Sequence, residues 1–192
     1  MHLSISLIGG KDMDLDQLRT DISIRSKKGL HFIMASVFIW FAVFVIWQLP
    51  IENILTKNLL TFCCTTLLLP ISFMISKLIK AEFSIHDNPL NKLGLLFSMN
   101  QFLYILIAMW IYPTVPEKMV MVLAIIFGAH LLPFGWLYRS KAYSIMSVVI
   151  SLSMLIIGIM YNALAVSIVM AVFGIVFSTW LIIENRSLNR SV

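Results

Sequence analysis

The last apolar stretch of this chain, Leu164–Ile183, reads LAVSIVMAVFGIVFSTWLII and contains no charged side chain. A helix of about 20 such residues rises about 1.5 Å per residue and so crosses roughly 30 Å of hydrocarbon. Backbone amides in lipid must find hydrogen-bond partners within their own segment, which a helix provides. The strands of a membrane barrel alternate polar and apolar residues, and this stretch does not. It therefore predicts a transmembrane helix.

Five further stretches of similar length and character precede it. They are Leu30–Leu49, Leu59–Ile79, Leu93–Tyr112, Met119–Tyr138 and Ala142–Met160. The links between the stretches are short, and the longest is Lys80–Lys92. The sequence therefore predicts an all-α, polytopic membrane protein, with a bundle of six transmembrane helices over residues 30–183. Residues 1–29 then form an N-terminal segment and residues 184–192 form a tail.

The composition excludes a soluble globular domain. Hydrophobic residues make up 60% of the 192 residues and charged residues only 12%, against about half and about a quarter in an ordinary soluble domain. A water-soluble fold of this size cannot bury so much apolar surface. The two cysteines, Cys63 and Cys64, are neighbours within an apolar stretch, so they are poor disulfide partners and too few for a zinc site. We expect both to be buried.

The basic residues predict the orientation in the membrane. If the six stretches cross in turn, twelve of the fourteen Lys and Arg residues lie on one side. That side stays in the cytoplasm, so we expect both termini to be cytoplasmic. The net charge of +5 then faces anionic lipid headgroups, and nucleic acid is not an expected partner. The twelve residues are Lys11, Arg19, Arg25, Lys27, Lys28, Lys77, Lys80, Lys92, Arg139, Lys141, Arg186 and Arg190; the other two are Lys57 and Lys118.

The segment before the first stretch contains apolar residues at helical spacing, namely Leu15, Leu18 and Ile22. With the basic residues among them, they predict a short amphipathic helix on the inner leaflet, and Asp14 and Gln17 have the spacing of a capping box. A frayed polar tail is the alternative. Residues 9–12 can be encoded by a purine-rich ribosome-binding sequence just before Met13. We therefore hypothesise that translation begins at Met13 and that residues 1–12 are not naturally translated.

Polar residues inside the apolar stretches are the candidate functional residues, because an unpaired polar group in lipid costs free energy. Counted at about 1.5 Å per residue, five of them fall at similar depth, and we expect Asn100 or Gln101 to meet His130. One interpretation is hydrogen bonding that holds helices together. The other is a small polar pocket in which His130 titrates or binds a ligand. The five are Asn100, Gln101, His130, Ser151 and Ser72.

Two prolines lie within the stretches and predict breaks in the helices. Pro70 cannot donate to the carbonyl of Thr66, and Pro133 cannot donate to that of Ala129. Broken helices near the middle of the bilayer are a device of transporters, but they also occur in membrane proteins of other kinds. Small residues that recur every four positions, such as Ala163, Ser167 and Ala171, predict close helix packing, either within the chain or in a dimer.

No motif in the sequence predicts an enzyme. The zinc motif His-Glu-x-x-His, the Gly-x-Ser-x-Gly elbow, phosphate loops and glycine fingerprints are absent, and no carboxylate lies in any of the six stretches. One histidine without a carboxylate is a poor metal ligand set. We therefore predict no catalytic residue, no metal and no cofactor.

Three stretches together resemble a family of small bacterial six-helix integral membrane proteins of unknown function. They are Arg25-Ser-Lys-Lys-Gly-Leu-His31, Asp87-Asn-Pro-Leu-Asn-Lys-Leu-Gly94, and Gly128-Ala-His-Leu-Leu-Pro133 continuing to Ser140-Lys-Ala-Tyr143. The resemblance covers about residues 14–185. It implies a bacterial plasma membrane, and it brings no activity, ligand or site residue.

Two functions of different class follow from these patterns. One is a small transporter or permease-like protein with a polar pocket inside the membrane. The other is a non-catalytic membrane component, either an accessory subunit, a sensor, or a stress or immunity factor, that acts through helix–helix contacts. It would have a second copy or another membrane protein as its partner. A polar cavity favours the first function, and a dry, fully packed interior favours the second.

Overall fold

The computed structural model of the protein describes residues 14–190, with the side chains of 189 and 190 excepted. The hypothesis that translation begins at Met13 concerns residues outside this range. In the described part of the chain there are nine α-helices. They are α1 Leu15–Arg25, α2 Leu30–Gln48, α3 Ile54–Thr66, α4 Leu68–Leu78, α5 Leu90–Thr114, α6 Met119–His130, α7 Leu132–Leu137, α8 Lys141–Met160 and α9 Ala163–Arg190.

Within residues 14–190, six helical segments are long and apolar enough to cross a membrane, which confirms the predicted all-α fold with six spans. Two of the spans are built from two helices each, α3 with α4 and α6 with α7. The breaks fall at Leu67 and Leu131, three and two residues before Pro70 and Pro133. Because proline has no N–H and its ring crowds the preceding turn, the helix is interrupted just ahead of it.

Helices α2, α6, α8 and α9 form the centre of the bundle. Glycines permit the close approach: a Cβ at Gly174 of α9 would lie 2.8 Å from Cγ2 of Val37 on α2. A Cβ at Gly158 of α8 would lie 2.2 Å from Cγ of Met121 on α6. Ala163, Ser167 and Ala171 are all buried within the chain, so these small residues serve packing inside the bundle.

Helix α5 lies at the periphery. Of its 25 residues, only Leu90, Ala108 and Ile111 are buried. It contacts mainly α6 and α7, and also α1 and α3, while most of its large apolar side chains are exposed. Cys63 on α3 is likewise exposed, whereas its neighbour Cys64 is buried, so the expectation that both cysteines are buried holds for only one.

Helix α1 closes one end of the bundle. Asp14 and Gln17 form the capping box at its start. Leu18 and Ile22 belong to the hydrophobic core, with 1% and 3% of their surface exposed. The apolar face of α1 therefore contacts protein, and it is not available to the inner leaflet as the sequence suggested. We call this end of the molecule, formed by α1, residues 79–89, residues 138–140 and the last turns of α9, the α1 end.

Candidate functional site

The structure does not bring the five polar residues together by hydrogen bonds. Nδ2 of Asn100 donates to the hydroxyl of Tyr104, one turn along the same helix, over 3.0 Å. Nδ1 of His130 lies 2.7 Å from the carbonyl of Phe127. Both bonds stay within one helix, because a side chain can reach the carbonyl or side chain one turn away without any tertiary contact. The expected pair of Asn100 with His130 is not formed.

The two serines behave in the same way. Oγ of Ser151 donates to the carbonyl of Ser147 over 2.8 Å, and Oγ of Ser72 donates to that of Leu69 over 2.9 Å. Gln101 is half-buried on α5. Ser151 also faces Gly128, where a Cβ would come within 2.7 Å of its Oγ. These hydroxyls are thus satisfied locally and fill packing positions between helices.

Polar groups converge instead at the α1 end, around the turn between α1 and α2. Lys27, Lys28 and Gly29 have φ angles of 50°, 52° and 64°, so three consecutive residues are left-handed. Only glycine adopts this conformation without steric cost, and each lysine costs about 1–2 kcal/mol. Such strain persists where the surroundings over-determine the backbone. We therefore expect this turn to be held by many contacts.

A largely buried ion pair fixes the turn to α9. Nζ of Lys28 lies 2.8 Å from Oε2 of Glu184, and the two side chains are 7% and 16% exposed. Glu184 also accepts hydrogen bonds from Oγ of Ser140, at 2.6 Å, and from the backbone N–H of Ala142, at 2.9 Å. Ala142 is in the first turn of α8, where a negative charge complements the unpaired N–H groups and the helix dipole. One carboxylate thus joins α8, α9 and the strained turn.

The carbonyl groups of the turn are also held. The hydroxyl of Tyr143 donates to the carbonyl of Lys28 over 2.9 Å, and Nδ2 of Asn185 donates to that of Lys27 over 2.9 Å. Nζ of Lys27 donates to the carbonyl of Ile79 at the end of α4. A Cβ at Gly29 would lie 3.1 Å from the hydroxyl of Tyr143, so space as well as φ favours glycine there.

Arg25, the last residue of α1, binds two carboxylates of the link between α4 and α5. Its Nη2 lies 2.7 Å from Oε2 of Glu82, and its Nη1 lies 2.8 Å from Oδ2 of Asp87. Each carboxylate accepts two hydrogen bonds from the guanidinium, the geometry in which arginine binds carboxylates best. These bonds and the positive charge hold the pKa of Glu82 and the pKa of Asp87 below their usual range.

The middle of α1 is fixed to the same link and to the last turn of α7. Nδ2 of Asn88 donates to the carbonyl of Leu18 at 2.9 Å and to Asp21 at 2.8 Å. Nε of Arg19 donates to the carbonyl of Trp136 at 3.0 Å. Oδ1 of Asn88 accepts a hydrogen bond from the N–H of Leu90 at the start of α5. The amide nitrogen of Asn88 additionally fixes α1, a contact that the sequence did not reveal. Tyr138 lies in the link between α7 and α8, and burial of its side chain raises its pKa to about 12.

His31, in the first turn of α2, is 1% exposed, and neither ring nitrogen has a hydrogen-bond partner among the described residues. Its ring centroid lies 4.4 Å from that of Phe32 and 5.4 Å from that of Phe83. An unpaired buried imidazole costs free energy. The residue adjoins the strained turn, yet it faces aromatic rings and no cavity.

Two shallow depressions open onto the surface at the α1 end. One lies between α1 and Arg139, and the other runs from Gly135 to Ile145. Neither contains any of the five polar residues chosen from the sequence. Within residues 14–190 as described, no three His, Cys, Asp or Glu side chains are placed to hold a metal ion. The α1 end is thus a network of ion pairs and hydrogen bonds that fixes helices.

Residues 15–184 match a family of unknown function, DUF7010. The chain belongs to this family. The matched range begins at the first residue of α1 and ends at Glu184, so it includes α1 and the links of the α1 end of this DUF7010 protein, but not the last turns of α9 after Glu184. No curated protein and no solved structure matches the chain.

The residues of the network lie mostly in the stretches that carry the resemblance. Arg25 pairs with Asp87, and Lys28 meets both Tyr143 and, through Glu184, Ser140. The sequence of this DUF7010 protein did not reveal these residues as a site, because most of them lie outside the apolar stretches. One signal was present: Glu184 directly follows an apolar stretch on the side richest in basic residues.

Proposed function

We propose that this integral membrane protein is a non-catalytic membrane component that acts through helix–helix contacts in the membrane. The observation that carries the proposal is the packing of α5, a span with only three buried residues and with an amide, Asn100, on its exposed side. Lipid cannot hydrogen-bond an amide, so such a residue marks a face that another helix covers.

The arrangement of the interior supports the same proposal. The serines and the histidine of the expected pocket bond to carbonyls of their own helices. The centre is filled by side chains such as Phe177, Met154 and Leu181, none of which is exposed. A solute would need a polar route through this region, and the α1 end closes the bundle with a network of at least four charged side chains.

A small transporter is the second candidate, and one observation favours it. Two of the six described spans are interrupted, one near its middle at Leu67 and the other six residues before its end at Leu131. Broken helices supply backbone carbonyls to substrate sites in transporters. Transport that depends on the serines near these breaks, Ser72 and Ser151, would favour this candidate over the first.

Photo-crosslinking in native membranes tests the proposal. A photoreactive amino acid replaces Leu103 on α5 in one variant and Ile156 on α8 in the other; the two side chains are 63% and 57% exposed. Both variants are expressed at the native level. We expect a discrete protein adduct from the α5 position and only lipid adducts from the α8 position. Lipid adducts alone from both positions would overturn the proposal.

We also propose that the protein lies in the bacterial plasma membrane with both termini in the cytoplasm. The supporting observation is charge: the α1 end holds Arg19, Arg25, Lys27 and Lys28 as well as Arg139. In contrast, Lys57 lies in the first turn of α3 and Lys118 lies just before α6, at the opposite end. The lysine- and arginine-rich end stays inside, next to anionic headgroups. Reporter fusions after residue 192, within 80–92 and within 115–118 test this; cytoplasmic reporter activity from the 115–118 fusion would contradict it.

A further inference from the structure

The exposed side of α5 carries a stripe with the spacing of a coiled-coil seam. Its members are separated by four, three, four and three residues, the repeat that keeps one face of a helix against a partner helix. The apolar members are 46% to 63% exposed. The stripe, which we call the Asn100 stripe, consists of Leu96, Asn100, Leu103, Ile107 and Trp110.

A second stripe on α5 has the same spacing and no polar member. It consists of Leu95, Met99, Phe102, Leu106 and Met109, which are 54% to 64% exposed. Lipid chains solvate these side chains as well as a protein would, so nothing in that stripe requires a partner. The two stripes differ in one respect, the amide of Asn100.

Asn100 lies near the middle of its span. It is about 15 Å along the helix axis from Leu90 and about 21 Å from Thr114, at 1.5 Å per residue. An asparagine amide has two N–H donors and a carbonyl oxygen. One N–H bonds to Tyr104; in the part of the chain that the structure describes, the carbonyl oxygen and the other N–H have no hydrogen-bond partner.

A second copy of this chain meets the requirements of that amide. Copies inserted in the same orientation carry Asn100 at the same depth, and two parallel α5 helices align their Asn100 stripes residue by residue. An amide is both donor and acceptor, so a two-fold axis through the stripe gives a reciprocal pair of N–H···O=C bonds. Small differences in depth would leave another protein's polar group out of reach.

Resting on the proposed function, we infer that α5 is the interface of a parallel homodimer in which the Asn100 side chains of the two copies hydrogen-bond near the middle of the bilayer. The apolar members of the stripe pack against each other on either side of that pair. Single polar residues in such seams select the register and the number of chains. Hydrogen bonds of this kind correspond to roughly a 3- to 20-fold change in association.

The test uses full-length protein reconstituted in liposomes of phosphatidylcholine and phosphatidylglycerol, with the dimer fraction measured by single-molecule photobleaching as the protein-to-lipid ratio varies. We expect a monomer–dimer equilibrium that Asn100→Leu weakens roughly 3- to 20-fold. Asn100→Gln, which retains an amide, should recover part of the loss. Because Asn100 is exposed and bonds only within its own helix, all three proteins should have the same helicity, and the same melting temperature at protein densities where each is a monomer.

Disulfide crosslinking locates the interface on α5. In a chain with Cys63→Ala and Cys64→Ala, Leu103→Cys should crosslink rapidly on oxidation with copper phenanthroline. The matched control, Leu106→Cys in the second stripe, should not. Monomers at every protein density, equal crosslinking at the two positions, or no effect of Asn100→Leu would each overturn the inference.

The outcomes also separate this inference from the proposed function. If the photo-crosslink at Leu103 joins a different protein while the purified chain stays monomeric, the proposed function stands and the homodimer fails. If the dimer forms in liposomes but native membranes give only lipid adducts at Leu103, the proposed function is wrong. The homodimer is then also wrong as an assembly of native membranes.

Discussion

Lys28 and Glu184 lie 156 residues apart in the chain and form a largely buried ion pair, with Nζ of the lysine 2.8 Å from Oε2 of the glutamate. The pair sits where α1 turns into α2, α8 begins and α9 ends. Two hydrogen bonds from Ser140 and Ala142 complete the environment of the carboxylate. The start of the first span is thus fixed to the end of the last.

Breaking this pair from one side should destabilise the protein strongly. Glu184→Gln leaves the lysine charge buried without a counter-charge, which costs about 3–5 kcal/mol. We expect a large drop in melting temperature in detergent. The double variant Lys28→Met with Glu184→Gln should lose less than the two single variants combined. Arg186→Gln, at an exposed residue of the same helix, should change stability by less than about 0.5 kcal/mol; additive losses would contradict the pairing.

Two left-handed positions, Gly29 in the turn between α1 and α2 and Lys80 after α4, predict opposite changes in stability. Removing the glycine at 29 should destabilise the protein, and introducing a glycine at 80 should stabilise it. Gly29→Ala, at φ 64° and with the Tyr143 hydroxyl 3.1 Å from the added Cβ, should lower the free energy of unfolding by about 1–3 kcal/mol. Lys80→Gly should raise it by up to about 1 kcal/mol, because the exposed Lys80 has φ 55° after the end of α4. Chemical unfolding in mixed micelles measures both. Equal changes in the free energy of unfolding at the two positions would show that positive φ does not determine which residue is stable there.

The cluster of Arg25 with Glu82 and Asp87 predicts a pH dependence. The pKa of each carboxyl is lower in the folded protein, so its contribution to stability is complete above the unfolded pKa of about 4 and disappears as pH falls through the folded pKa. The stability difference between the wild type and Arg25→Gln should therefore be constant from pH 7 to about 5 and shrink below about pH 4. Melting curves across this range provide the measurement.

Arg139→Gln is the control for that series. Arg139 pairs at 3.2 Å with Asp16, and both side chains are about half exposed, so solvent screens the pair and its removal should change little at any pH. A wild-type advantage over Arg25→Gln that persists unchanged at pH 3 would contradict the assigned pairs.

The buried imidazole of His31 predicts that an apolar residue is tolerated there. Because neither ring nitrogen has a hydrogen-bond partner, His31→Leu removes unsatisfied polar atoms and should leave the melting temperature unchanged or raise it. His130→Leu, in contrast, removes the bond to the carbonyl of Phe127 and should lower it. A clear loss of stability in His31→Leu would show that the ring has a polar partner in the membrane.

Much of the fold could be predicted from the sequence. Each span is a local property, because the length of an apolar stretch and the pairing of its amides within a helix do not depend on neighbours. The break before Pro133 and the capping box of Asp14 with Gln17 are local for the same reason. These features are therefore present in the structure where the residues predict them.

The candidate site could not be predicted in this way. Depth along a helix follows from counting residues, and it suggested that Asn100 meets His130. Whether they meet depends on how each helix is rotated about its axis, which packing against neighbouring helices decides. In the structure Asn100 points outward to Tyr104 and His130 bonds to Phe127. The apolar face of α1 likewise packs against the end of the bundle, whereas the sequence suggested that it contacts lipid.

The sequence by itself thus determined that the chain is a six-span helical membrane protein, since hydrophobic length and backbone pairing are properties of each segment alone. Only the tertiary structure decided which polar groups share a site. Lys28 meets Glu184 because the first and last spans pack side by side, and Asn100 bonds only to Tyr104 of its own helix because it lies on the exposed side of α5. Contacts between residues far apart in the chain depend on the arrangement and rotation of whole helices, and no single stretch of sequence contains that information.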